Sequence, residues 1–357
     1  MIPATKHPEF DDHEDVVLLD DPGKGLAGFI VIHSTALGPA VGGCRRARYH
    51  TLSEALADAL RLSQGMSYKN AMAGLAAGGG KAVLCDLGLQ FSREAVWTAF
   101  GQRLENLRGR YITAEDVGTA VADMQIVARR TRFVAGLPSR LGKAGGDPSP
   151  WTALGVFVAL QACLERPLAG ARVAVQGLGA VGFKLCERLH RAGARLVVAD
   201  IDSQLTARAR LEFNAEIAAI ERIHSVSADA FSPNALGAVL NPASIAEIDA
   251  PIVCGGANNQ LSSPRSGELL LKRGVTYAPD YVVNAGGIIN VMAEFHCEAA
   301  SVVEARVLAI GDRVSELLAR ARTERRPPNE VADEMARSLL GRSRSRAHPG
   351  SVAQEVV

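Results

Sequence analysis

A glycine pattern, Gly177-Leu178-Gly179-Ala180-Val181-Gly182, constrains this chain more than any other segment. It follows the apolar run Val173-Ala174-Val175 and opens a helix-like stretch to about Ala192. The strand-like Arg195 to Ala199 comes next and ends at Asp200. A lone G-x-G-x-x-G carries little, but strand, glycine turn, helix and second strand in that order describe a dinucleotide-binding unit of a parallel sheet. Gly177 permits the tight turn, Gly179 lets backbone approach a pyrophosphate, and Gly182 allows close helix–strand packing. The amides of Ala180 and Val181 start the helix, whose N-terminus favours phosphate. Asp200 lies eighteen residues beyond Gly182, where a carboxylate accepts from ribose hydroxyls and repels a 2′-phosphate. The expected cofactor is therefore NAD rather than NADP. Asp202 competes for the ribose role, but Asp200 sits better at the strand end.

Further strand-like runs at Pro251–Cys254 and Val275–Tyr277, with Thr152 as the cap of a helix to about Glu165, extend this half into a helix-wrapped parallel sheet. Ser301 to Thr323 reads as one long amphipathic helix. Before the Gly/Pro-rich hinge Gly142–Pro150 lie separate signals. They are a strand over Gly28–Ser34, a loop over Leu37–Gly43, and a helix capped by Ser53 that brings Lys69 to its last turn or just beyond. A strand over Lys81–Cys85, a helix over Glu94–Leu107 and a strand over Tyr111–Ala114 follow. The expected fold is α/β with two units and a cleft between them. Residues 1–143, with 329–357 packing back, form a substrate and oligomerisation domain; residues 144–328 form a Rossmann domain.

Lysine and arginine total 39 against 38 aspartates and glutamates, a balance without the electrostatic footprint of a nucleic-acid binder. The basic cluster Arg342-Ser343-Arg344-Ser345-Arg346 reads as a solvated tail or a subunit contact. No basic-then-apolar leader and no long apolar run occur, so neither a secretory signal nor a membrane span is expected. Six scattered cysteines read as reduced thiols in the cytoplasm. Eight histidines without paired spacing give no expected metal site.

Upstream of the glycine loop stand Lys69, in Gly65-Met66-Ser67-Tyr68-Lys69-Asn70, and Lys81, behind Gly78-Gly79-Gly80. Asp116 follows the third strand. A lysine can pair a substrate carboxylate as a point charge; it can also lose its proton when desolvated or crowded by a second cation, and so serve as a general base. The glycine run before Lys81 is expected to let backbone approach a ligand, and Asp116 supplies a second proton-transfer group. These residues describe an anionic substrate and proton transfer beside hydride transfer.

Several blocks together resemble the glutamate/leucine/phenylalanine/valine dehydrogenases. They are Leu37–Gly43, Gly65–Asn70, Ala73–Lys81, Gly109–Gly118, Gly255–Gln260 and Ala278–Gly287, spanning nearly the whole chain. The resemblance implies reversible oxidative deamination: amino acid, NAD and water give a 2-oxo acid, ammonium and NADH. By motif, Lys69 binds the α-carboxylate, Lys81 activates the attacking water, and Asp116 shuttles a proton to and from the amino group. Asn258 and Asn284 orient the nicotinamide and its ribose, and Asn259 reaches the substrate carboxylate. The resemblance also implies a homo-oligomer, octameric in size; from the charge balance and the lack of a long apolar run, no nucleic-acid or membrane partner is expected.

In the glutamate-specific relatives the positions of Val41 and Val291 hold a lysine and a hydroxyl residue for the side-chain carboxylate. Two valines leave that charge unpaired, at several kcal/mol. With Gly42, Ala114 and Ile288 they complete an apolar wall, so a branched-chain amino acid is expected, with an aromatic one the rival. Two departures from leucine-specific relatives reshape the pocket: Val41 replaces a larger leucine, and Glu294-Phe295-His296-Cys297 replaces a Tyr/Gly-containing stretch. A silent NAD-binding regulator and a 2-hydroxy-acid dehydrogenase are the competing classes. The first predicts loss of a lysine or the aspartate; the second wants a His–carboxylate pair and an arginine.

Overall fold

The structure is a computed structural model that describes residues 3–88, 91–138, 142–235 and 237–342. Its first sheet contains β1 (Asp15–Asp21), β2 (Leu26–Ser34), β3 (Ala40–Ala47), β4 (Gly78–Cys85) and β5 (Tyr111–Glu115), in the order β1-β2-β4-β3-β5. β1–β2 and β2–β4 are antiparallel, while β3 runs parallel to both β4 and β5. Three helices accompany it: α1 (Leu52–Met72), α2 (Arg93–Glu105) and α3 (Val121–Ala128).

Strand parity explains how this sheet is covered on both sides. In β2, Phe29 and Val31 join Val83 against Leu56, Ala59 and Leu60 of α1. Ile30 and Ile32 join Leu84 against Val96, Trp97 and Phe100 on α2. Side chains alternate faces along a strand, so Lys81 lies on the same side as Val83, the side of α1. Fully burying each of these large apolar side chains contributes roughly 1.5–3 kcal/mol, enough to fix the register.

After α4 (Ser149–Leu164) comes a second sheet. It contains β6 (Arg172–Gln176), β7 (Arg195–Ala199), β8 (Glu216–Ile217), β9 (Ala230–Pro233), β10 (Ile252–Val253) and β11 (Thr276–Tyr277). Its order is β11-β10-β9-β6-β7-β8, parallel throughout. The helices of this part are α5 (Ala180–Arg191), α6 (Ser203–Phe213), α7 (Pro242–Glu247), α8 (Arg265–Lys272), α9 (Asp280–Val283) and α10 (Gly286–Phe295). They continue as α11 (Ala300–Leu308), α12 (Ile310–Glu324) and α13 (Pro328–Leu339). The arrangement is the expected two-domain α/β fold with a Rossmann sheet, whose order reverses at β6, between β9 and β7. α13 packs on α1, so the chain returns to the first sheet.

Several local expectations change. Ala40 to Gly43 begin a strand rather than finishing a loop, because β3 is held between β4 and β5. α1 is capped by Thr51, whose side chain accepts from Glu54 N, not by Ser53, and it runs on to Met72. α4 starts at Ser149, with Thr152 inside its first turn donating to Pro148 O. The long helix expected over Ser301–Thr323 breaks at Ala309 into α11 and α12. Arg342 is not a solvated tail residue. Its guanidinium donates to His33 Nε2 at 2.7 Å, to His33 O and to the carbonyls of Asp11 and Asp12. Ser343 to Arg346 lie outside the described residues.

Candidate active site

The glycines before Lys81 bring protein onto protein. A Cβ on Gly78 would lie 1.9 Å from Ser34 O, one on Gly79 2.0 Å from Ser67 N, and one on Gly80 2.8 Å from the Tyr111 ring. The run therefore seats α1, the end of β2 and the Tyr111 ring directly on β4, instead of clearing space for a ligand as the sequence pattern suggests. That contact sets the last turn of α1, with Lys69, over the α1-facing side of β4, with Lys81. Tyr111 ties the strands together: its hydroxyl donates to Gly42 O at 2.7 Å and accepts from Ala82 N at 3.0 Å.

Lys69, Lys81 and Asp116 line one cleft of about 320 Å³ together with Ala114, Ile288 and Val291. Lys81 Nζ lies 2.7 Å from Asp116 Oδ2, and Arg45 Nε donates to the same oxygen at 3.3 Å. Arg45 is fixed in turn by Asp58, which also accepts from the Tyr49 hydroxyl and Arg61. Burial pulls the Asp116 pKa upward, but the Lys81 ammonium and the Arg45 guanidinium outweigh it and hold the carboxyl below its ordinary value. Gly43 makes the approach possible, since a Cβ there would lie 2.8 Å from Asp116 Cβ.

Lys69 faces different surroundings. Burial lowers its pKa to about 8, Asp280 opposes that shift, and Lys81 adds to it. Lys69 Nζ donates to Asn258 Oδ1 at 3.3 Å, an oxygen that also accepts from Asn284 Nδ2 at 2.9 Å. Asn258 thus links the first sheet to the second across the cleft. Behind Lys69, Asp280 is buried and accepts from the backbone of Gln260 and Tyr281. Burial raises its pKa in spite of those bonds and of Lys69.

The glycine turn of the second sheet has the opposite character. Gly177 has φ +89° and a Cβ there would lie 2.7 Å from Ala235 Cβ, while a Cβ on Gly182 would lie 1.9 Å from Gly177 O. Gly177 therefore seats the turn against the segment after β9, and Gly182 closes the helix onto the turn. A Cβ on Gly179 would meet nothing within 4 Å, and no side chain caps α5. The open space over Gly179 and the uncapped first amides of α5 fit a pyrophosphate. Asp200 Oδ2 accepts from Leu178 N at 2.5 Å and Oδ1 from Asp202 N at 2.8 Å, which fixes the carboxylate beside the turn. Asn284 lines the cleft with its Oδ1 buried and unpartnered among the described residues, an acceptor suited to a ligand donor.

Two family profiles match this chain: "Glu/Leu/Phe/Val dehydrogenase, dimerisation domain" over residues 13–133, and "Glutamate/Leucine/Phenylalanine/Valine dehydrogenase" over 202–308. Leucine dehydrogenase of Geobacillus stearothermophilus is 42% identical over 349 residues, covering 96% of this chain and 95% of that protein. Valine dehydrogenase of Streptomyces virginiae is 42% identical over 346 residues, 95% and 96% of the two chains. The crystal structure of L-tryptophan dehydrogenase from Nostoc punctiforme superposes with a TM-score of 0.85 at 34% identity, over 96% of this chain and 98% of that one. This chain belongs to the glutamate/leucine/phenylalanine/valine dehydrogenase family.

Within that family frame, Lys69, Lys81, Ala114, Asp116, Asn258, Asn284, Ile288 and Val291 meet in one cleft, and Val181 at the start of α5 joins them. Val41 and Gly42 do not line it. Val41 is fully buried beneath, against Ile112 and α1, and Gly42 turns its carbonyl to Tyr111. Asn259 is exposed in a left-handed conformation outside the cleft, with φ +52°. Residues that the sequence pattern did not single out do line it, notably Gly43, Met66, Glu115 and Gly136. For Gly43 and Met66 a signal existed, since both stand in the family-like motifs. Gly136 gave none, because it arrives through a loop bridged to β5 between Thr113 and Val134. Among the described residues no group of histidine, cysteine and acidic side chains could hold a metal, and no helix is long and apolar enough to cross a membrane.

Proposed function

We propose that this enzyme catalyses the reversible, NAD-dependent oxidative deamination of a branched-chain L-amino acid. The substrate reacts with water and NAD to give the 2-oxo acid, ammonium, NADH and a proton. The observation that carries this reading is the single cleft that joins two lysines and an aspartate to an apolar wall of Ala114, Ile288 and Val291. Leucine and valine dehydrogenases at 41–43% identity support the same substrate class.

Lys69 takes the α-carboxylate, which displaces Asn258 from its ammonium and restores the proton affinity that burial removes. The glycine turn, Asp200, Asn258 and Asn284 would hold NAD, which would supply the hydride acceptor for the substrate Cα. Lys81 takes the proton of the water that adds to the resulting imine carbon. Asp116, 2.7 Å from Lys81 and held ionised, first takes a proton from the substrate ammonium, so that the free amine can release hydride, and then returns it to the departing amino group. The closeness of the two groups supports passage of one proton between them. Arg45 is a positioning residue that holds Asp116 from behind.

The charge pattern also supports an apolar side chain. Among the described lining residues Lys69 and Lys81 are the cations, and Glu115 is acidic, so a side-chain carboxylate would meet repulsion as well as valine. An aromatic substrate is the second reading, favoured by the tryptophan dehydrogenase neighbour. Residues 1–143 with 329–357 would bind substrate and make the contacts of a homo-oligomer, and 144–328 would hold NAD.

NADH formation with a panel of L-amino acids, and its consumption with 2-oxo acids and ammonium, tests the reading. Turnover of leucine, isoleucine and valine is expected. Absence of activity with every apolar amino acid, or turnover of 2-hydroxy acids instead, would overturn it.

A further inference from the structure

A second cavity, of about 620 Å³, lies beside the cleft and is lined by Ile112, Phe133, Leu137, Ala144, Glu294 and Phe295 among others. Strand parity places the two in series along one face of the first sheet. Ala114 lines the cleft and Ile112, two residues earlier on the same face, lines the second cavity. The chain beyond the loop behaves in the same way. Gly146 lines the cleft and Ala144 the second cavity, with Gly145 between them.

Glu294 stands at this boundary. On α10 it shares a face with Gly287 and Val291, which line the cleft, at the i, i+4, i+7 spacing. Its carboxylate is pinned to the loop after β5: Oε1 accepts from Leu137 N at 2.8 Å and Oε2 from Gly136 N at 3.2 Å. Gly136 lines the cleft and Leu137 the second cavity. A Cβ on Gly145 would lie 3.1 Å from Glu294 Cγ, so the 144–146 segment closes on the same side chain. Two backbone donors satisfy a carboxylate that would otherwise be costly beside Ile112, Phe133 and Phe295. Burial, with Glu115 adding to it, raises the Glu294 pKa against those two bonds.

We propose that Glu294 is a specificity-determining residue: pinned across the two domains, it is the partition that separates the substrate cleft from the second cavity and limits the length of the side chain accepted. The inference rests on the amino-acid dehydrogenase reading above and names what sets its side-chain limit. A cleft of about 320 Å³ that must hold both nicotinamide and substrate leaves room for an aliphatic side chain. The volume behind Glu294 is ample for an aromatic ring, and Ile112, Phe133, Leu137 and Phe295 give it apolar walls, with Arg132 and Lys143 also on its lining.

The test measures kcat/KM for L-leucine and L-phenylalanine on the purified full-length enzyme and three variants. Glu294→Ala removes the partition; the phenylalanine-to-leucine ratio of kcat/KM should rise at least about tenfold, mainly through KM for phenylalanine, the scale on which apolar pockets discriminate. Glu294→Asp keeps the charge and the acceptors but retracts by one methylene, and should shift the ratio in the same direction by about threefold or more. Glu294→Gln fills the same space and should stay within about threefold of the unaltered enzyme. An unchanged ratio in the Ala variant, or in the Asp variant if the Ala variant does not fold, would overturn the proposal. An equal shift in the Gln and Ala variants would do so too, because it would trace the effect to charge rather than to space. The substrate panel of the unaltered enzyme tests the branched-chain reading separately, since the change of ratio is defined whichever amino acid that enzyme prefers.

Discussion

Gly78, Gly79 and Gly80 of the first sheet resemble Gly177, Gly179 and Gly182 of the other in sequence, each cluster beside an apolar strand. In space they differ. The first three are pressed by Ser34, Ser67 and Tyr111, and they let a helix and a strand close on β4 so that Lys69 and Lys81 share a cleft. In the dinucleotide turn Gly177 and Gly182 do similar work, against Ala235 and against Gly177 O, but Gly179 faces open space. Glycine spacing therefore marks two different needs, protein on protein and protein on ligand, and only the surroundings separate them.

The widest separation between the two clusters is expected from Gly79→Ala and Gly179→Ala. A methyl group 2.0 Å from Ser67 N must push α1 from β4, so Gly79→Ala should lower kcat/KM more than about a thousandfold and destabilise the fold by about 1–3 kcal/mol or more. Gly179→Ala should leave the melting temperature nearly unchanged while weakening NAD binding about tenfold or more, because the methyl group occupies the space over the turn. Thermal melts and NAD titration read both, and a normal melt for Gly79→Ala would erase the distinction.

Lys81→Ala comes next. Turnover should fall by about 10²–10⁴ with NAD affinity retained, as for loss of a general base. Near-normal kcat would place water activation elsewhere.

A smaller effect separates the two lysines by pH. Lys69 carries its charge below about pH 8 and loses it above, so a carboxylate inhibitor such as 4-methylpentanoate should bind about tenfold more weakly per pH unit beyond that point. Lys69→Gln should bind weakly with no such dependence, and a slope that survives the substitution would assign the titration to another group. The smallest effect is that of Arg45→Gln. Removing one of the two cations beside Asp116 lets burial raise its pKa, so the acid limb of the kcat/KM profile should move to higher pH. An unmoved limb would reduce Arg45 to a structural role.

The parts of the fold written in local pattern were legible. The Gly177–Gly182 turn with its flanking strands and Asp200 needs about thirty consecutive residues, and α1, α2 and β2 announce themselves by period. β3 was not legible, because Ala40–Ala47 carries glycines and arginines and becomes a strand by pairing with β4 and β5 on either side. The site divides in the same way. Lys69, Lys81 and Asp116 stood out in their motifs, whereas the Arg45–Asp116 contact spans 71 residues and the Glu294–Gly136 contact 158. Val41 read as a wall of the pocket from its motif alone, and strand packing put it one layer deeper.

An apolar substrate met by two lysines and one aspartate is the centre of the mechanism. Rates of NADH formation with L-leucine and with L-glutamate, measured side by side at matched concentrations, test it most directly. Turnover of leucine is expected, with glutamate slower by orders of magnitude because its γ-carboxylate would meet Val291 and Glu115 without a further cation. Glutamate turnover equal to or faster than that of leucine would contradict it.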